Sequence, residues 1–285
     1  MWWKIVAVTV IVLILVIIGL IIYGRKSWQA QTKALQTSIE AAQLPPTSET
    51  YNANSTENLP APVQRYFAAV LKDGQPLIRA ATVEHTGTFN MSETDEQWTP
   101  FESVQRIQTR QPGFVWDARI RMLPALKVFV LDAYAAGRGV LTAKILGLVT
   151  VMDQPQTPEL AQGELMRFLA EAVWYPTVLA PGQGVVWEAI DDSQTRATLT
   201  DGKTTASLIF HFDERGLIKT VRSEGRYREV NGRQVATPWQ GRFWDYEWRD
   251  GMLVPLSGEV GWLTEEGLHL YWRGHIEQID YKYVQ

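Results

Sequence analysis

The chain has 285 residues, 46% hydrophobic and 20% charged, with a formal charge of −4 and no cysteine. That length and apolar content can bury a sizeable core in one large domain or two small ones. The acidic balance, with no basic cluster in the body, argues against a nucleic-acid partner, which needs many phosphate-neutralising side chains on one face. The lack of cysteine removes disulfides, thiolate nucleophiles, zinc knuckles and a lipidated N-terminal cysteine together. Twelve Trp, ten Tyr and nine Phe suit a packed core or the walls of an apolar ligand site.

Taken in order, residues Ile5 to Tyr23 carry no charge and span ~28 Å as a helix, close to the ~30 Å hydrocarbon core of a bilayer. Trp2, Trp3 and Tyr23 stand at the ends as interfacial aromatics, and Lys4, Arg25 and Lys26 close the segment. The apolar run is too long for a cleaved signal peptide, and Ala30 is preceded at the critical spacing by Trp28, so an uncleaved anchor over 1–26 is expected. Charge counting alone places the body in the cytoplasm. A short tail bearing Lys4 is easily retained, however, and long domains translocate despite nearby charges, so the body is expected on the periplasmic or extracytoplasmic side of the inner membrane. Residues 27–58 read as a flexible tether with a weakly helical start.

From 59 to 285 the pattern is that of one body. Pro62 opens a short helix ended near Gly74. Runs of period two follow, from LIRAATVEHTGTFNM onward, about eleven in all, separated by turn dipeptides such as Asp201-Gly202, Asn231-Gly232 and Asp250-Gly251. In GFVWDARIRML, Phe114, Trp116, Ala118, Ile120 and Met122 point one way and Asp117, Arg119 and Arg121 the other, as expected for one buried and one wet face. Residues 139–152 are apolar enough for a buried strand or a short helix across a cavity mouth. The fold class is α+β: a large curved antiparallel sheet, a half-barrel or open barrel, with inserted helices.

The long inserted helix has marked ends: Thr157 is a good N-cap, Pro158 suits the first position, and Pro176 pushes Tyr175 out of the helical basin. It should run from Pro158 to Trp174 and present a broad apolar arc with one charged stripe, Glu164, Arg167 and Glu171. These three are ordinary i,i+3 and i,i+4 surface pairs worth ~0.2 to 0.5 kcal/mol each, or a seam at a cavity mouth where Arg167 grips an anionic head group. On the aromatic strands, Trp244, Tyr246 and Trp248 share one parity and are core residues or the wall of an apolar cavity. No GxSxG, P-loop, HExxH or GxGxxG occurs, and His85, His211, His269 and His275 are spaced too widely along strands to suggest a shared metal. No cofactor, metal or catalytic residue is therefore expected. The ligand-site candidates are Glu164, Arg167, Glu171, Trp244, Tyr246 and Trp248, for a lipid or other amphiphile. A hydrolase pairing Glu164 or Glu171 with Asp117 or Asp132 is the alternative, and a non-catalytic scaffold the third reading.

The segments PVQRYF (62–67), PGFVWDA (112–118), GELMRFLAEAVWYPTVL, TPWQG with Tyr246 and Pro255, and YWRGHI (271–276) together resemble an uncharacterised bacterial family of membrane-anchored proteins, a domain of unknown function, over about Leu59 to Gln285. The resemblance implies no activity and no catalytic residue. At the level of fold, a curled sheet with an inserted helix is similar to the half-barrels of periplasmic lipoprotein carriers; the spanning helix and the missing lipidated cysteine depart from that pattern.

Overall fold

The computed structural model describes residues 2–42, 44, 49–92, 95–124, 126–230 and 232–284. The helices are α1 (Trp2–Ala41), α2 (Ala61–Val70) and α3 (Pro158–Ala170). Before α3 lie β1 (Ile78–Asn90), β2 (Trp98–Gln108), β3 (Gly113–Leu123), β4 (Leu126–Ala135), β5 (Arg138–Ile145) and β6 (Val149–Asp153). After it come β7 (Val185–Ala189), β8 (Gln194–Asp201), β9 (Thr204–Phe212), β10 (Ile218–Val230), β11 (Arg233–Arg249), β12 (Met252–Thr264) and β13 (Gly267–Tyr283). All thirteen strands form one sheet in the order β6-β5-β4-β3-β2-β1-β13-β12-β11-β10-β9-β8-β7, antiparallel throughout. Two meanders are thus joined by the β1–β13 pair, and β6 and β7 are edges that do not pair with each other. The sheet is a half-barrel, open rather than closed.

Local chemistry accounts for the turns. Asp250 and Gly251, at φ 48° and 81°, make the two-residue loop between β11 and β12, the mirror-image turn that suits twisted hairpins. Asn231, expected in a similar turn with Gly232, lies outside the described residues. The ambiguous stretch 139–152 resolves into β5 and β6 around Leu146 and Gly147, both left-handed at φ 52° and 74°.

Adjacent strands rotate by roughly 20–25°, so the eight steps from β4 to β9 accumulate to about half a turn. The two arms therefore come together with their ends reversed: Asp201, at the β8–β9 turn, accepts hydrogen bonds from Tyr134 Oη at the end of β4 (2.8 Å) and from Gln111 before β3. Inside this curl lies α3. Thr157 Oγ1 accepts from the Leu160 N–H, Pro158 stands in the first turn, and the helix runs on as a 3₁₀ turn through Trp174 before Tyr175 leaves helical geometry ahead of Pro176. Leu160 sits so close to Gly139 of β5 that any Cβ there would come within 2.8 Å of it, while Gln162 Nε2 donates to the Thr205 carbonyl of β9 (3.0 Å). A helix that touches β5 on one side and β9 on the other occupies the concave face. Leu165, Met166, Phe168, Leu169, Ala172 and Val173 are all buried there. One end of the curl is closed by α2, whose Tyr66 and Phe67 pack with Phe212, Tyr51 and Met252. Backbone bonds from Leu77 to Glu49 and from Tyr51 to Gln75 start the packed body at about residue 49.

The outer face of β3 and β4 is not wet as the alternation suggested. Residues 27–41, read from the sequence as the beginning of a tether, continue α1 along this face. Trp28 and Ile39 are buried against Val115, Phe129, Leu131, Ala133 and Ala135. Trp28 Nε1 donates to Asp117 Oδ1 (2.8 Å), its ring meets Phe129 edge-on at 5.6 Å, and the Arg119 guanidinium lies over both rings while pairing with Asp117. The preceding part, long and apolar enough to cross a membrane, makes no contact with the body that buries it. Trp28→Ala should destabilise the body by about 3 to 5 kcal/mol through lost burial and packing, measured as the unfolding midpoint of the detergent-solubilised full chain. A change below about 1 kcal/mol would show that α1 is only loosely docked.

Candidate functional site

The stripe expected on α3 faces inward. Only 2% of Glu164 is accessible, and Arg167 and Glu171 are mostly enclosed, with 15% and 12% of their side chains accessible. Arg167 Nε donates to Glu171 Oε1 (2.7 Å), Nη1 to Asp132 Oδ2 of β4 (2.6 Å) and Nη2 to Gln105 Oε1 of β2 (3.4 Å), while Gln105 Nε2 donates to Glu171 Oε2 (2.6 Å). Its guanidinium also stacks near the Phe114 and Trp116 rings, 4.8 and 5.1 Å away. Burial alone would lower its pKa, but Glu171, Asp132 and Glu164 raise it by more, so Arg167 stays charged. Each of its three nitrogens has a protein partner, so this guanidinium braces α3 against β2 and β4.

Glu164 differs from Glu171. Burial first, and the Asp132 charge second, hold its carboxyl well above the usual range, against the pull of Arg226 and Arg167. One oxygen faces Arg226 Nη2 of β10 at 3.5 Å; the other, like Asp132 Oδ1, has no partner among the described residues. A single proton carried by Glu164 and shared with Asp132 satisfies both orphaned oxygens. Beside this cluster, His85 on β1 is boxed between Trp174 (5.1 Å) and Trp272 (6.1 Å) with Ser103 Oγ at 3.4 Å from Nδ1, and burial together with the Arg167 charge lowers its pKa to about 3.

The three aromatic candidates are dispersed. Phe243 points into the core, Trp244 is exposed, and Asp245 adopts a left-handed φ of 57° that breaks the alternation. Tyr246 then turns toward the interior, donating to the Ile218 carbonyl (2.6 Å), and Trp248 is exposed under Lys72 (5.3 Å). Glu164, Arg167 and Glu171 are brought together with Asp132; Trp244, Tyr246 and Trp248 make none of their contacts there. Asp117 lies on the outer face with α1, away from Glu164.

A different aromatic surface forms at the open end of the concave face, where β1 ends, β12 ends and β13 begins. Phe89, Trp262, Tyr271 and Trp272 are only partly buried against the core. The Tyr271 ring lies 5.9 Å from Phe89 and stacks on Trp262 at 5.7 Å, and its hydroxyl accepts from Trp239 Nε1 (2.9 Å). A register shift in β13 between its pairings with Val260 and Gly261 lets the consecutive Tyr271 and Trp272 both face inward. Arg228 of β10 lies over the Trp262 ring at 5.6 Å and, among the described residues, pairs with no carboxylate. Period-two reading of RYREV puts Arg226 and Arg228 on one face. Which face was hidden by the bulges in β10 and β13.

On the outer face, Ser257 Oγ contacts Asp245 Oδ2 (2.7 Å) and His275 Nδ1 (3.0 Å). Serine stands between the other two, whereas nucleophile activation requires the histidine in the middle, so this is a structural bridge. Two shallow depressions lie elsewhere. One, of about 440 Å³, is lined by Gln111, Gly137, Asp201 and Lys203, and the other, of about 260 Å³, by Glu40, Arg79, Gln108 and Lys282.

Residues 57–281 match the model of a family of unknown function, DUF6920. The chain belongs to that family. Among curated proteins nothing matches. Among solved structures it is similar to a LolA superfamily protein from Nitrosomonas europaea, at 11% identity and a TM-score of 0.39 over 78% of this chain and 92% of that one. It is also similar to a beta-barrel-like protein of the DUF1849 family from Brucella abortus, at 13% identity and a TM-score of 0.25 over 72% and 99% of the two chains. No residue role passes from either to this family member.

Two predictions follow from the buried cluster. Arg167→Met should destabilise by about 3 to 5 kcal/mol, since it strands buried carboxylates, whereas Glu164→Gln, which donates permanently to Asp132, should stay within about 1 kcal/mol of the parent; chemical unfolding of the full chain in detergent compares them. His85, at about 3 when folded and ~6.5 when unfolded, binds more protons in the unfolded chain. Its contribution is complete above pH ~6.5 and is lost as pH falls toward 3. His85→Gln should therefore flatten the acid side of the stability profile between pH ~6.5 and ~4, and equal slopes in both proteins would exclude this assignment.

Proposed function

We propose that this protein is held in the inner membrane by residues 5–23, with its body on the periplasmic side, and that the open end of the half-barrel takes the acyl part of an amphiphile. The observation that carries the reading is the half-buried surface of Phe89, Trp262 and Tyr271 beside an arginine, Arg228, without a carboxylate partner. Covering such a surface with an acyl chain contributes about 0.8 kcal/mol per buried methylene, and a guanidinium at its border suits an anionic head group. In this reading Glu164, Arg167 and Glu171 serve the site as its floor and brace, and the head-group role moves from Arg167 to Arg228. A scaffold without ligand is the second reading. It is favoured by the engagement of Arg167 with Glu171, Asp132 and Gln105, which ties the charged stripe of α3 to the sheet.

The test uses the full-length protein in liposomes doped with a photoreactive fatty acid. Crosslinks are expected in peptides containing Phe89, Trp262 or Tyr271, in addition to those of α1 as the proposed anchor. Arg228→Gln should reduce capture of the fatty acid severalfold and leave capture of the matching neutral alcohol unchanged. Crosslinks confined to α1 would leave the scaffold reading.

A further inference from the structure

The way α1 leaves the body marks which surface meets the bilayer. Gly24 packs on the β5–β6 turn so tightly that a Cβ there would lie 2.6 Å from Leu148 Cγ and 2.7 Å from the Leu146 carbonyl. Residue 24 is also where the uncharged run ends. The β5–β6 turn is bonded to its neighbour, Leu146 N–H to Lys127 O (2.9 Å), and so lies beside the β3–β4 turn. These two turns and the edge strand β6 carry an unusual set of exposed apolar side chains: Leu123 is 61% exposed, Val149 60% and Val151 54%, with Met122 and Met152 also open. An edge strand reading VTVM, with no charge before Asp153 and both faces exposed, is a surface that soluble proteins blunt or cover. Arg25, Lys26, Arg121 and Lys144 flank it, the arrangement of an interfacial segment that dips apolar residues below anionic head groups.

We infer that this rim, Met122, Leu123, Val149, Val151 and Met152, is a membrane-contact surface that inserts shallowly into the same bilayer α1 crosses. The occupant is lipid because the apolar segment of α1 begins where the rim does, and the basic flank complements anionic head groups. The inference rests on the anchoring part of the proposed function and is independent of whether the aromatic mouth binds an acyl chain. With the rim seated, the body stands against the membrane instead of swinging on its helix.

Because the chain has no cysteine, single cysteines give background-free labels. The full-length protein is prepared with Leu13→Cys, Leu123→Cys, Val151→Cys or Val186→Cys, the last on the opposite edge strand and equally exposed at 60%. Each is labelled with a polarity-sensitive fluorophore and reconstituted in liposomes whose acyl chains carry bromine quenchers. Loss of emission is expected at Leu13, Leu123 and Val151 and not at Val186, and the loss at Leu123 and Val151 should grow when anionic lipid is added. Quenching at Leu13 with Leu123 and Val151 behaving like Val186 would overturn the rim and leave the anchor standing. No quenching at Leu13 would overturn the anchor and the rim together.

Discussion

An open sheet of thirteen strands has nothing in its own hydrogen-bond ladder that limits how far it curls, because twist accumulates at every step while the edges stay unpaired. Here the limit is set by α3. Arg167 reaches one arm through Asp132 and Gln105, Glu164 reaches the other through Arg226, and Gln162 holds β9. The charged stripe of the helix is therefore a clamp across the concave face. Each of these contacts would be worth little at the surface. Buried, they act mainly by specificity: breaking one leaves an uncompensated charge, so the curl has one preferred opening. The raised pKa of Glu164 belongs to the same arrangement, since three carboxylates, Glu164, Glu171 and Asp132, face two guanidiniums, Arg167 and Arg226, and the charges balance only if one proton is retained.

Much of this was legible in the chain. Thr157, Pro158 and Pro176 define the helix ends by mechanisms that act within a few residues, and the Asp-Gly turns act within two. The curved antiparallel sheet follows from a succession of period-two runs. What was not legible depends on contacts made at long range. The stripe of Glu164, Arg167 and Glu171 looks the same in sequence whether it faces water or Asp132, because the strand that supplies Asp132 is remote in the chain. Alternation failed at Asp245, where one left-handed residue sends Trp244 and Tyr246 to different environments. It failed again at Tyr271, where a bulge aims two consecutive aromatics inward. The docking of α1 had a visible signal that alternation on β3 obscured: LKVFVLDAYA in β4 is apolar at both parities, the mark of a strand covered on both faces.

Attachment and opening are coupled by geometry. The packed half of α1 runs along β3 from the β5–β6 turn at Gly24 to Gly113 near Ile39, so its apolar half projects past the end where β3 and β4 turn. Phe89 and Tyr271 lie at the corresponding ends of β1 and β13, on strands that lead through β2 to β3 in register. The end of the half-barrel left open by α2 is thus the end from which the helix departs. A helix docked by Trp28, Asp117 and Arg119 transmits its orientation to the sheet, whereas a limp linker would leave the mouth free to face any direction. With α1 anchored as proposed, this rigid connection holds the partly buried aromatics on the membrane side of the body, and the residues that hold α1 are among the most buried on an otherwise outer face.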